Sequence, residues 1–120
     1  MDSLPKYLQN RLNPTTRSRS KKQEDKIKKD FLKKGKSTIT TINSGATFGQ
    51  NDIISEDFEI EAKTTSKGSF TIKKDYWSQI VKKTQLGKLP VMVIDFEGSE
   101  EVSLAVINYQ DLLALIDFNK

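Results

Sequence analysis

Residues 57–65, Asp57-Phe58-Glu59-Ile60-Glu61-Ala62-Lys63-Thr64-Thr65, alternate apolar and polar side chains with a period of two. That period belongs to a β-strand, because successive Cβ atoms leave a pleated backbone on opposite sides. Phe58, Ile60 and Ala62 share one face, expected to be buried, and Glu59, Glu61 and Lys63 share the other. Immediately upstream, Asp52-Ile53-Ile54-Ser55 reads as a short strand and Glu56-Asp57 as the turn that makes a hairpin of the two. The hairpin carries Asp52 toward Glu61. The β-branched run STITTIN at 37–43 reads as a further strand, with Ser44-Gly45-Ala46-Thr47-Phe48-Gly49 turning after it.

Working outward, a helix is expected over 21–34, stopped by Gly35, with Ile27, Phe31 and Leu32 as its apolar residues among many lysines. A second helix is expected over 72–86, burying Ile72, Tyr76, Trp77, Ile80, Val81 and Thr84, and ending at Gly87. Pro90 opens an apolar strand, VMVIDF; another strand follows over 102–107, and a last helix over 109–118. The order α-β-β-β-α-β-β-α describes an α/β domain built around a mixed sheet, spanning 21–120. Residues 1–20 read as a basic arm, since Pro5, Pro14 and the run Thr15-Thr16-Arg17-Ser18-Arg19-Ser20 interrupt any periodicity.

Composition narrows the chemistry. A chain of 120 residues has room for one domain and one modest core. Apolar residues are 35% and charged residues 30%, and no apolar run approaches the ~20 residues that span a bilayer. The start, Met1 to Asn10, has no apolar h-region, so nothing there reads as a secretory signal. Cysteine and histidine are both absent, which excludes disulfides, Ser-His-Asp triads and the usual zinc sites. Carboxylates, lysines, hydroxyls and a hard cation such as Mg²⁺ are what remain. The net charge of +4 is unevenly spread: residues 1–36 hold twelve Lys/Arg against four Asp/Glu, net +8, and residues 37–120 are net −4. A basic leading segment on an acidic body suits a polyanionic partner; a solvated arm without a partner has the same composition.

Glu61 and Lys63 on one strand face, with Asp52 delivered by the neighbouring strand, form the pattern with chemical content. Converging carboxylates repel unless a cation lies between them. A Mg²⁺ ion held there would polarise a phosphodiester and acidify a bound water without histidine. Lys63 would orient that water or stabilise developing charge. By spacing alone the pattern is weak, and a solvated strand face carrying a Glu/Lys pair is the commoner source of it; a central strand covered on both sides fits that explanation less well.

Taken together, Ser44-Gly45-Ala46, Asn51-Asp52, Glu61-Ala62-Lys63-Thr64 and, after a helix, Lys88-Leu89-Pro90-Val91-Met92-Val93-Ile94 resemble the PD-(D/E)XK nuclease superfamily, and most of all its small archaeal-type and phage-encoded Holliday junction resolvases. The resemblance covers about residues 20–96, with Asn51 standing where the superfamily's proline usually does. It implies a restriction-endonuclease-like core with a central mixed five-stranded sheet flanked by helices. It also implies that Asp52, Glu61 and the Ala62 carbonyl bind Mg²⁺, with Mn²⁺ substituting, and that Lys63 is the catalytic lysine. The superfamily's glutamate on the first helix corresponds to Glu24, which lies on the Ile27/Phe31 side; a favourable charge near the helix N-terminus explains Glu24 equally well.

Ser44 is expected near the scissile region by the same resemblance, or else is a plain turn residue. Thr64, Lys67 and Ser69 are candidates to grip the DNA backbone, as are Lys73 and Lys74 and the basic positions Arg17, Arg19, Lys21, Lys22, Lys28 and Lys29. Tyr76 and Trp77 read as core. The expected partner is branched or four-way junction DNA, with no membrane and no organic cofactor. A homodimer formed through the apolar C-terminal segment would present paired active sites to opposite strands. Another nuclease of the superfamily, nicking or exonucleolytic, and a non-catalytic DNA-binding module are the alternatives.

Overall fold

The computed structural model describes residues 16–41, 51–98 and 100–118. Its elements are α1 (Thr16–Lys33), β1 (Thr38–Thr40), β2 (Ile53–Ser55), β3 (Phe58–Thr65), α2 (Lys74–Lys83), β4 (Leu89–Phe96), β5 (Val102–Val106) and α3 (Tyr109–Phe118). The strands form one sheet in the order β1-β2-β3-β4-β5. β3 and β4 run parallel, as a crossover through α2 permits, and every other pairing is antiparallel. The expected element order and mixed five-stranded sheet are both present.

β3 sits at the centre of the sheet and is covered on both sides. On one side Ile27 of α1 packs with Ile53, Ile60, Ala62 and Val91, with Phe31 and Phe58 alongside. On the other, Ile80 of α2 packs with Met92 and Ile94, joined by Phe70, Tyr76 and Trp77. The charged face of β3 therefore lies under α2, and Glu59 and Glu61 are buried. The ion pairs Arg19–Glu97 and Lys26–Asp95, which link α1 to the β4 side, are partly exposed at 3.6 and 3.9 Å. Pairs of that kind contribute ~0–1 kcal/mol, so the apolar stripe of α1 is what docks it.

Several expected boundaries shift. α1 begins at Thr16 rather than at residue 21, so residues 16–20 are helix and not arm; their polar side chains carry no apolar period from which this could be read. It ends as expected: Gly35 has φ 78°, and its N–H bonds to the Leu32 carbonyl while that of Lys36 bonds to Phe31, a Schellman closure. β1 is three residues long instead of seven. α2 is shorter than 72–86, and Ile72 (38% exposed) and Val81 (37%) are not in its buried stripe; the packed face narrows to Tyr76, Trp77 and Ile80, because one short helix meets the sheet along only two turns. Residues 1–15 of the arm, the Arg17 side chain and Ser44 lie outside the described residues. Among the described residues no helix is long and apolar enough to cross a membrane.

Candidate active site

The site forms where β2 and β3 diverge. Asp52 immediately precedes β2, and its Oδ2 accepts the Ala62 backbone N–H at 2.9 Å. This bond sets the Asp52 carboxylate beside the middle of β3, one residue from Glu61. Glu61 and Lys63 project from the β3 face beneath α2. The Glu61 Oε2 atom accepts the Tyr76 hydroxyl at 3.1 Å, with Lys83 Nζ at 3.8 Å and Lys63 Nζ at 4.0 Å. Lys63 Nζ also lies 5.5 Å from the centroid of the Tyr76 ring, within cation–π range. These contacts all fall on one oxygen of each carboxylate. Glu61 Oε1 and Asp52 Oδ1 have no protein partner among the described residues.

Glu24 approaches from α1. Its half-buried carboxyl is pushed above the usual range first by burial and then by the Asp52 charge, with Asp25 and Glu61 adding and Lys28 opposing. Glu61 is raised in the same way, by burial first and Asp52 second, against Lys83, Lys63 and the Tyr76 hydroxyl. The Tyr76 hydroxyl is raised as well, by burial and by Glu61. All three shifts come first from burial and then from the negative charges of the neighbouring carboxylates. Gln23, the neighbour of Glu24, is buried, and its Nε2 donates to the Lys63 carbonyl at 2.8 Å and the Val93 carbonyl at 3.2 Å. That amide pins α1 across β3 and β4 and so places Glu24.

The donor set suits a hard cation. Among the described residues no three acidic side chains lie close enough to chelate an ion unaided, but Mg²⁺ is commonly bound by one or two carboxylates, waters and a substrate phosphate. Asp52 and Glu61, each keeping one unpaired oxygen, meet that requirement.

The expected DNA-contacting residues scatter more widely. Thr64 points to the opposite side of β3 from Glu61, into a groove of about 1060 Å³ between α1 and the β4–β5 edge, where Arg19, Lys21, Lys22 and Lys29 also lie; period-2 geometry separates it from the acidic cluster. Lys28 turns to the other flank of α1, near Glu24. Lys67 and Ser69 are exposed between β3 and α2, and Lys73 and Lys74 are exposed where α2 starts. Gln23, Tyr76 and Lys83 carry no signal in the sequence that links them to the site. Tyr76 reads as core there, and in the structure it is half-buried with its hydroxyl turned to Glu61.

No family model matches the chain, and no curated protein does. Among solved structures it is similar to Hjc, a Holliday junction resolvase from the archaeal hyperthermophile Archaeoglobus fulgidus, with a TM-score of 0.57 and 17% identity over 70% of this chain and 74% of that one. At that identity the likeness establishes the fold alone: an α/β domain with a mixed five-stranded sheet.

Proposed function

We propose that the protein is a divalent-cation-dependent DNA endonuclease and that its substrate is branched DNA of the four-way junction type. The observation that carries this reading is the Asp52 carboxylate held against the strand that bears Glu61 and Lys63, with one oxygen of each carboxylate lacking a partner among the described residues. The resolvase fold supports it.

On this reading Asp52, Glu61 and the Ala62 carbonyl hold Mg²⁺ or Mn²⁺, which supplies charge neutralisation at a phosphodiester and an acidified water. Lys63, steadied between Glu61 Oε2 and the Tyr76 ring, stabilises negative charge as it develops on the phosphate. Glu24 adds a third carboxylate from α1 and orients water at the edge of the site. Lys22 and Lys29, with the basic residues of the leading segment, follow the DNA backbone and give affinity without sequence preference. Ser44, Lys67, Ser69, Lys73 and Lys74 are proposed as further phosphate contacts. On the same reading the enzyme is phage-encoded and works on recombination or repair intermediates in a bacterial cytoplasm.

A homodimer belongs to the same proposal. No residue of α3 is buried, and Leu112, Leu113, Ile116, Val102 and Leu104 are exposed on α3 and the edge strand β5. A second copy covering them would pair two active sites for symmetric incision. Light scattering is expected to give twice the chain mass for the wild type and the single-chain mass for a Leu104→Glu, Ile116→Glu variant; a monomeric wild type would remove the dimer from the account.

The test of function is incubation of labelled four-way junction, linear duplex and single-stranded DNA with Mg²⁺ or with EDTA. Paired nicks placed symmetrically about the crossover, and only with Mg²⁺, are expected. Ladders growing from one end would replace the resolvase by an exonuclease, and metal-independent binding without cleavage would leave a DNA-binding module.

A further inference from the structure

We propose that Lys83 is a second lysine of the active site, which holds Glu61 in the metal-free protein and turns to a DNA phosphate once a divalent cation occupies the two carboxylates. The proposal rests on the nuclease reading.

Lys83 comes from the last turn of α2, an element separate from the strand that bears Lys63. Its Nζ lies 3.8 Å from Glu61 Oε2, slightly nearer than Lys63 Nζ at 4.0 Å, and its side chain is 24% exposed. A lysine at a helix C-terminus also favours the helix dipole, but Lys82 occupies the same turn, is exposed and is not paired with Glu61. Of the two lysines in that turn, it is Lys83 that reaches the buried carboxylate.

Counting charge decides what it does. Glu24, Asp52 and Glu61 bring three negative charges when ionised, and Lys63 and Lys83 bring two positive ones; Asp25 and Lys28, beside Glu24, cancel. Together these groups carry one net negative charge. A dication bound there would make the net charge one positive, matching a single phosphodiester, and by offsetting Glu61 would deprive the Lys83 ammonium of its partner. Its long, partly exposed side chain then has a phosphate within the same pocket to turn to. Without Lys83 the loaded pocket is neutral and has no surplus charge for the phosphate.

Lys83 therefore opposes cation binding and promotes DNA cleavage, a pair of effects with opposite sign that a purely structural lysine does not produce. Mn²⁺ binding to the full-length, DNA-free protein is read by calorimetry, and junction cleavage is read at saturating Mn²⁺. Lys83→Met is expected to bind Mn²⁺ roughly tenfold more tightly and to cleave roughly 100-fold more slowly, with Lys83→Gln behaving alike. Lys83→Arg, which keeps the charge, restores the weaker Mn²⁺ binding, and Lys82→Met changes neither quantity. Mn²⁺ affinity that is unchanged or weakened in both Lys83→Met and Lys83→Gln would overturn the proposal while leaving the nuclease reading intact. A wild type that fails to bind Mn²⁺, and is indistinguishable in this from Asp52→Asn, would overturn the nuclease reading itself.

Discussion

Lys63→Ala is expected to slow single-turnover cleavage of a four-way junction by about 10³-fold or more while leaving the Kd for the same junction, measured without cleavage, within a few-fold of wild type. The large effect follows from where the ammonium sits. It is held 4.0 Å from Glu61 Oε2 and 5.5 Å from the Tyr76 ring centroid, so its position is set before DNA arrives. The small effect follows from the backbone: the Lys63 carbonyl still accepts Gln23 Nε2 after truncation, and β3 keeps its pairing with β4. Glu61→Gln is expected to lose cleavage to a similar degree. The double substitution costs little more than either alone, because groups that act as a unit do not contribute additively. Cleavage by either single variant above a tenth of the wild-type rate would remove these residues from the chemistry.

Asn51→Ala is expected to cost the fold about 3 kcal/mol, the scale for stripping a partner from a buried charged group, and to lower Tm by roughly 15 °C for a domain of this size. Asn51 and Glu59 are both fully buried. The Asn51 Nδ2 group donates to Glu59 Oε1 at 3.2 Å and to Thr84 Oγ1 at 3.1 Å, with the Ile80 carbonyl at 3.4 Å. The other Glu59 oxygen accepts the Gln85 N–H at 2.8 Å. Asn51 thus ties the start of β2, the middle of the sheet and the end of α2 together, directly beside Asp52. Truncation leaves one Glu59 oxygen without its donor in a place water does not reach. Asn51→Asp should be worse, since it sets a second carboxylate against the first. Calorimetric unfolding of both variants checks this; a Tm within 3 °C of wild type for Asn51→Ala would mean that Glu59 finds another donor.

The same position shows what was legible in the sequence and what was not. The alternation at 57–65 was enough to place Glu61 and Lys63 on one face and to bring Asp52 to them across a hairpin, because strand periodicity and a short turn are local properties. That the charged face lies under a helix is not local: it depends on α2 crossing from β3 to β4 and on Ile80 meeting Met92 and Ile94. Asn51 accordingly read as a mere departure from a proline, though it is a buried hydrogen-bond donor to Glu59. Tyr76 and Lys83 reach Glu61 from 15 and 22 positions away along the chain, and no spacing rule connects residues on a strand with residues on a helix packed across it. Glu24 was placed through its helical phase with Ile27 and Phe31, and α1 does turn it toward Asp52. Thr64 follows Lys63 directly, and for that reason alone the strand sends it to the other side.

Crystals of the protein grown with Mn²⁺ and measured near the manganese absorption edge test the central claim most directly. The account predicts an anomalous peak at the side chains of Asp52 and Glu61 that disappears in crystals of Asp52→Asn. A map at saturating Mn²⁺ with no peak at those two side chains, or with its peaks only elsewhere on the surface, would contradict it.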